Sequence, residues 1–216
     1  MKYTFLFLAT LTLPAMALDV QITPDIESVK VMHNAKEVVI QRHQDPNNTI
    51  NPEFAKTSRA CPPFCIKPMI FAPGIESIAE LEMLDYLKKV SDGDNSILVI
   101  DSRTPDWVIK GSIPGAVSIP WDVLSGAKSS PPIVKKLLEE LLGVKISEQG
   151  KDFEAAKTLV LFCNGPWCDQ SASNIRALLK LDYPPEKLKW YRGGMQAWES
   201  FGLTTVTDIP MPWLGF

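Results

Sequence analysis

Four cysteines carry the most reactive chemistry in this chain, and they fall as two close pairs, Cys61 with Cys65 and Cys163 with Cys168. The thiolate is the nucleophilic form, so a reactive cysteine is recognised by surroundings that ionise it. Residues 158 to 176 read TLVLFCNGPWCDQSASNIR. Leu159, Val160, Leu161 and Phe162 run into Cys163, then come a Gly-Pro loop, Cys168, and a helical pattern opening at Asp169. This spells strand, loop, helix, with a thiol at the strand end. The free N–H groups and positive dipole end of such a helix favour a thiolate, which makes Cys163 the candidate nucleophile.

The other pair lies in ACPPFCIKP, where two prolines stiffen the segment between Cys61 and Cys65. The favoured reading is a structural disulfide pinning a loop; the other is a redox pair that docks near the main site. Zinc is disfavoured, because neither pair has the usual two-residue spacing and the pairs are far apart in the chain. No metal or cofactor is called for.

The compartment follows from the N-terminus. Lys2 precedes an apolar run from Phe5 to Leu13, and Ala15-Met16-Ala17 gives the small-x-small pattern of a signal-peptidase site. The run is too short to span a bilayer comfortably. An exported, bacterial periplasmic protein is expected, with residues 1–17 as signal peptide and no membrane partner after cleavage. At 216 residues and 45% hydrophobic the chain can bury one full core. A net charge of -3 without a basic run argues against a nucleic-acid partner.

Residues 18–75 read as a small β-rich extension. Glu27 to Met32 and Lys36 to Arg42 flank His33-Asn34-Ala35 as a hairpin, followed by a turn at Asp45 to Asn48. His33 and His43 are expected on its surface. Residues 76–209 then alternate helices and strands: a helix from a Ser77/Glu80 capping box with Ile78, Leu81, Leu84 and Leu87 on its apolar face, and strands at Ile97 to Ile100, Ala116 to Ile119, Leu159 to Phe162 and Leu188 to Tyr191. Further helices are expected at Thr104-Pro105, from Ser130 to Leu142, from Asp169 to Leu181 and around Ala197 to Phe201. This pattern predicts an α/β fold, a mostly parallel sheet covered on both faces. The site should lie at the carboxyl ends of the strands, where Asp101 and Cys163 fall.

The runs ILVIDSRTPDWVIKGSIPGAVSIP, LVLFCNGPWCDQSASNIRALLKL and YRGGMQAWESFGL resemble the three segments of a rhodanese (sulfurtransferase) domain, in order, over roughly residues 80 to 207. The resemblance implies that Cys163 is the catalytic cysteine and that Asn164, Gly165, Pro166, Trp167 and Cys168 form the cradle loop. It also implies a persulfide mechanism: the Cys163 thiolate takes sulfane sulfur from a small donor and passes it to a thiol, small or protein-borne. The chain departs from the family pattern at Cys168, where arginine is common, at Pro166, which lacks an N–H, and at Asp169, whose charge opposes a thiosulfate dianion. Phosphatase chemistry is set aside, since the required arginine position holds Asp169.

Three readings stand at this point. Sulfur transfer through Cys163 leads; the others are a thiol-disulfide oxidoreductase cycling Cys163 and Cys168, and a silent binding module. Asp101 and Arg103 are expected to pair structurally, with Arg103 and Arg192 also weighed as substrate contacts. Trp167 is a candidate pocket wall, and Trp198 and Trp213 are packing residues. The tail, residues 210–216, is expected to fold back on the domain or to dock a partner. The sequence leaves the oligomeric state open.

Overall fold

Leu159 to Phe162 form the centre of the sheet. The computed structural model describes residues 19–215, so the signal-peptide expectation on residues 1–17 lies outside the described residues. Among them no helix is long and apolar enough to cross a membrane.

In chain order the elements are β1 (Ser28–His33), β2 (Lys36–Gln41), α1 (Pro52–Ala55), β3 (Glu76–Ile78), α2 (Glu80–Ser91), β4 (Ile97–Asp101), α3 (Pro105–Val108) and β5 (Val117–Ser118). There follow α4 (Trp121–Leu124), α5 (Pro131–Lys136), a π-helical continuation Leu137–Leu141, β6 (Lys145–Ser147), β7 (Gly150–Asp152), β8 (Thr158–Phe162), α6 (Gln170–Lys180), β9 (Leu188–Tyr191) and α7 (Gly194–Ser200). The main sheet has the order β3-β9-β8-β4-β5, and every neighbouring pair is parallel. Its strands alternate inward contacts between two cores. On β8, Leu159 and Leu161 face one core, and Val160 and Phe162 face the other. A strand buried on both faces reads as a continuous apolar run, as this one does.

The β1–β2 hairpin turns through Asn34 and Ala35, both at positive φ. That mirror-image geometry matches the twist of the strands it joins. The extension is not a separate body: Val31, Ile40 and Phe54 share one core with Met83, Leu84, Leu87 and Trp198. This explains the first correction. His33 is buried, because its Nδ1 accepts the Gly115 N–H at 3.1 Å while Nε2 lies 3.3 Å from the Asp208 carboxylate. Both partners are remote in sequence. His43 is exposed, as expected.

The second correction concerns the start of α2. Ser77 does not cap it; residues 76–78 are taken by the sheet as edge strand β3, and the Ser77 hydroxyl donates to the Met69 carbonyl. The cap shifts two residues on, so that the Glu82 carboxylate accepts the Ala79 N–H at 3.0 Å. The buried face is then Met83, Leu84 and Leu87, and Leu81 points to solvent. Helix α7 begins three residues before Ala197, at Gly194. The short β6–β7 hairpin has no counterpart in the sequence reading; its strands are mostly exposed and polar, which leaves no apolar alternation to detect. The tail folds back, with the Ser118 N–H donating to the Pro210 carbonyl at 2.8 Å and Trp213 packed against the core.

Candidate active site

Parallel pairing brings the carboxyl ends of β4 and β8 together, with Asp101 beside Phe162 and the Ser102 N–H donating to the Phe162 carbonyl at 3.0 Å. Cys163 therefore emerges next to the buried Asp101–Arg103 pair. The Cys163 sulfur accepts a hydrogen bond from the Ser171 hydroxyl at 3.1 Å, and the same hydroxyl oxygen accepts from Trp190 Nε1 at 3.0 Å. An indole N–H can only donate, so Trp190 occupies the oxygen and leaves the hydroxyl proton for sulfur. The N–H groups of Ser171, in the first turn of α6, and of Gly165 also serve the sulfur.

These donors decide the ionisation. Burial disfavours the Cys163 thiolate, but hydrogen bonds from the Cys168 thiol, the Ser171 hydroxyl and the two N–H groups outweigh it and bring the pKa down to about 7. Cys168 moves the other way: its hydrogen bond to Cys163, then its burial and the neighbouring charge, hold it as a thiol far above the ordinary range. The two sulfurs are free, unlike Cys61 and Cys65, which are joined in a disulfide with Cα atoms 4.7 Å apart.

The loop is held from beneath. The Cys163 carbonyl accepts the Met195 N–H and the Asn164 carbonyl accepts the Gln196 N–H, both at 2.9 Å. Gly194 has φ +54°, and a side chain there would collide with the Cys163 carbonyl, so the Gly-Gly sequence is what lets α7 approach. Arg103 is almost wholly buried. Its Nε and Nη2 clasp the Asp101 carboxylate at 2.6 to 3.1 Å, Nη2 also reaches the Gly111 carbonyl at 2.7 Å, and Nη1 lies 3.4 Å from Asn164 Oδ1. Ser112 donates to the same carboxylate at 2.6 Å. The structural pairing is present, and the weighed role of Arg103 as a substrate contact is not: its donors are committed to the scaffold that supports Asn164.

From outside, the loop is covered by the segment around Cys61–Cys65. The Lys67 N–H donates to the Pro166 carbonyl at 2.8 Å, and Lys67 Nζ meets the Asp169 carboxylate at 2.7 Å. Phe64 packs edge-on against Trp167 with ring centroids 5.8 Å apart, and the Arg59 guanidinium lies 3.7 Å over the Trp167 ring. Trp167 Nε1 donates to Gln196 Oε1 at 2.9 Å, and Gln196 Nε2 donates to the Phe54 carbonyl at 2.8 Å. Arg192 does not point to an anion site. Its Nε and Nη2 bind the Lys67 and Pro68 carbonyls at 2.7 to 3.1 Å, fastening the covering segment to the end of β9. The charge of Asp169 is shared between Lys67 and Arg176; burial would raise its pKa, and these two cations hold it below the usual carboxylate range.

Between cover and loop lies a cavity of about 390 Å³, walled by Phe64, Trp107, Trp121, Trp167, Asn164 and Cys168. Cys168 lines it together with Asn164, the residue after Cys163, and Cys163 itself is 2% exposed. A larger groove of about 660 Å³ between Leu124, Pro131 and Leu181 is lined by no cysteine. Of the residues singled out in the sequence, Cys163, Cys168, Asn164, Gly165, Pro166, Trp167 and Asp169 come together here; Arg103 and Arg192 act as braces. Ser171 and Trp190 were missed. Ser171 stands in the first turn after the loop, a position whose N–H and side chain face the strand end, and that signal was available.

A family model for the rhodanese-like domain matches residues 83–201. The chain belongs to the rhodanese-like domain family. The match supports a sulfurtransferase-type function at the level of the family. A search of curated proteins gave no match. Among solved structures, the chain is similar to a thiosulfate sulfurtransferase from Pseudomonas aeruginosa (18% identity, TM-score 0.44), over 63% of this chain and 21% of that one. It is also similar to a human single-domain sulfurtransferase (20% identity, TM-score 0.35, 57% of this chain and 94% of that one). A Bacillus halodurans protein matches at 20% identity and TM-score 0.39, over 57% of this chain and 71% of that one.

Proposed function

We propose that this protein is an exported sulfurtransferase that carries sulfane sulfur as a persulfide on Cys163. The thiolate attacks the outer sulfur of a donor; the bond between that sulfur and the rest of the donor breaks, and the remainder leaves with the electron pair. An acceptor thiolate then attacks the outer sulfur of the persulfide and regenerates the Cys163 thiolate. The observation that carries this reading is the Ser171 hydroxyl, fixed by Trp190 and directed at the Cys163 sulfur at 3.1 Å. The aromatic walls of the cavity favour an organic sulfur compound, or a cysteine flanked by apolar side chains, over the small thiosulfate dianion. Export is supported by the N-terminal residues and is in keeping with the Cys61–Cys65 disulfide.

Two free cysteines at the ends of one loop, with the Cys163 sulfur 3.7 Å from the Cys168 carbonyl, favour a second reading, reversible dithiol chemistry. Intact-mass analysis separates the two. Reduced Cys168→Ser protein given a sulfane donor should gain one sulfur, about 32 Da, on the Cys163 peptide. No gain from any donor, together with a reversible Cys163–Cys168 bond in the wild type, would leave only the oxidoreductase reading.

A further inference from the structure

The segments that carry the two cysteine pairs are tied together by a backbone hydrogen bond. The Lys67 N–H donates to the Pro166 carbonyl at 2.8 Å, with Cys65 two residues before the donor and Cys168 two residues after the acceptor. The residues immediately preceding these cysteines, Phe64 and Trp167, have their rings in edge-on contact at 5.8 Å. Pro63 and Phe64, inside the Cys61–Cys65 ring, wall the same cavity as Cys168. Cys61 is exposed to solvent, Cys65 half-buried, Cys168 buried at the cavity and Cys163 buried outside its lining. In exposure the four cysteines thus grade from solvent to nucleophile.

We propose that Cys61 and Cys65 are a second redox-active site, which passes electrons from an external dithiol to the Cys163–Cys168 pair. The proposal rests on the persulfide reading above. The Cys168 thiol gives its proton to the outer sulfur of the Cys163 persulfide and attacks the inner one; the bond between the two sulfurs breaks, the outer sulfur leaves as hydrosulfide, and a Cys163–Cys168 disulfide forms. The sulfane sulfur gains two electrons, and the two thiols lose them. The Cys65 thiolate then attacks Cys168, the sulfur at the cavity, and Cys163 departs as thiolate. Cys163 is the better leaving group, because its donors stabilise its charge. Cys61 next attacks Cys65, releasing Cys168 and closing the Cys61–Cys65 disulfide. A dithiol reductant in solution attacks exposed Cys61 and restores the pair.

Stoichiometry tests this directly. Fully reduced protein, freed of reductant, is given an aryl thiosulfonate, whose leaving sulfinate is inert toward disulfides. Wild type should release about two sulfides per chain, Cys61→Ser/Cys65→Ser about one, and Cys163→Ser none. About one from wild type, with Cys61 and Cys65 still open to alkylation, would overturn the relay. A second experiment needs no sulfur donor: dilute Cys61→Ser protein is oxidised with diamide and its peptides are mapped. A Cys65–Cys168 bond within one chain is expected; a Cys163–Cys168 bond with Cys65 free, or crosslinks only between chains, would refute the transfer. Failure of Cys168→Ser protein to load sulfur on Cys163 would strike the persulfide reading instead, and the diamide experiment would still report on the relay.

Discussion

The cysteine loop has two sides built in different ways. Beneath it, Arg103, Ser171, Trp190 and Gly194 are all buried; the first three act through hydrogen bonds shielded from water, and Gly194 through the close approach its missing side chain permits. Above it, Arg59, Phe64, Lys67 and Arg192 are partly exposed, and they hold a segment from the start of the chain across the loop. The lower side meets the sulfur itself and sets its charge. The upper side meets only carbonyls, rings and the Asp169 carboxylate, and it walls the cavity through Phe64. On the proposed function, reactivity follows from the lower side and access from the upper, and substitutions on the two sides should therefore fail in different ways.

The largest effect is expected at Arg103. Replacing it with methionine leaves the fully buried Asp101 carboxylate without its cation, a loss of about 3–5 kcal/mol. Denaturant unfolding measures it, and Asp101→Asn in the same chain should recover part of the loss. A cost below about 1 kcal/mol would mean that the pair is not the support described here. Next comes Ser171→Ala, which should leave the fold nearly intact and change the sulfur. Below a pKa of about 7 the Cys163 thiol is protonated and above it the thiolate dominates, so its ultraviolet absorbance rises through that pH. A charge-assisted hydrogen bond contributes about 1.5–3 kcal/mol, so losing it should move the midpoint alkaline by about one to two pH units. Trp190→Phe should shift it in the same direction by less. An unchanged midpoint in both variants would place the thiolate's stabilisation elsewhere, in the N–H groups of the loop.

The lower side was largely legible in the sequence, and the upper side was not. The apolar run into Cys163, the helix opening at Asp169 and the Gly193-Gly194 pair each declare a local geometry within a few residues, and the parallel sheet follows from short apolar strands alternating with helices. The Asp101–Arg103 pair was also readable, since two residues at a strand end can close one fork. Contacts between remote segments leave no such trace. Arg192 lies 125 positions from Lys67, and its guanidinium reads in sequence as free to meet an anion; the structure commits it to two carbonyls. His33 was misplaced for the same reason, its partner Gly115 being 82 positions away. Trp190 stood inside an apolar strand, where burial accounts for it and its N–H goes unnoticed.

Smaller effects should sharpen the division. Phe64→Ala removes an aromatic pair of the kind that contributes about 0.5–1.5 kcal/mol beyond its buried area. It also opens the cavity above Cys168, so bulky thiosulfonates should load faster while the absorbance midpoint of Cys163 stays at that of the wild type. A shifted midpoint would show that the cover also tunes the sulfur, and the two sides would no longer be separable.

Lys67→Met tests the electrostatic part of access. The lysine and Asp169 are both partly exposed, and Asp169 keeps Arg176, so the cost in stability should be no more than about 1 kcal/mol. Asp169 should then titrate nearer the ordinary carboxylate range, because one of the two cations that hold it down is gone. The mouth of the cavity becomes more negative by one charge. At contact distances in water one charge is worth about 1 kcal/mol, so an anionic thiosulfonate should load Cys163 up to about five-fold more slowly, with a neutral disulfide donor unaffected. Raising the salt shortens the range of the field and should erase most of the difference between the two donors. Equal slowing of both donors, insensitive to salt, would instead mean that Lys67 acts by holding the covering segment in place through its backbone bond to Pro166.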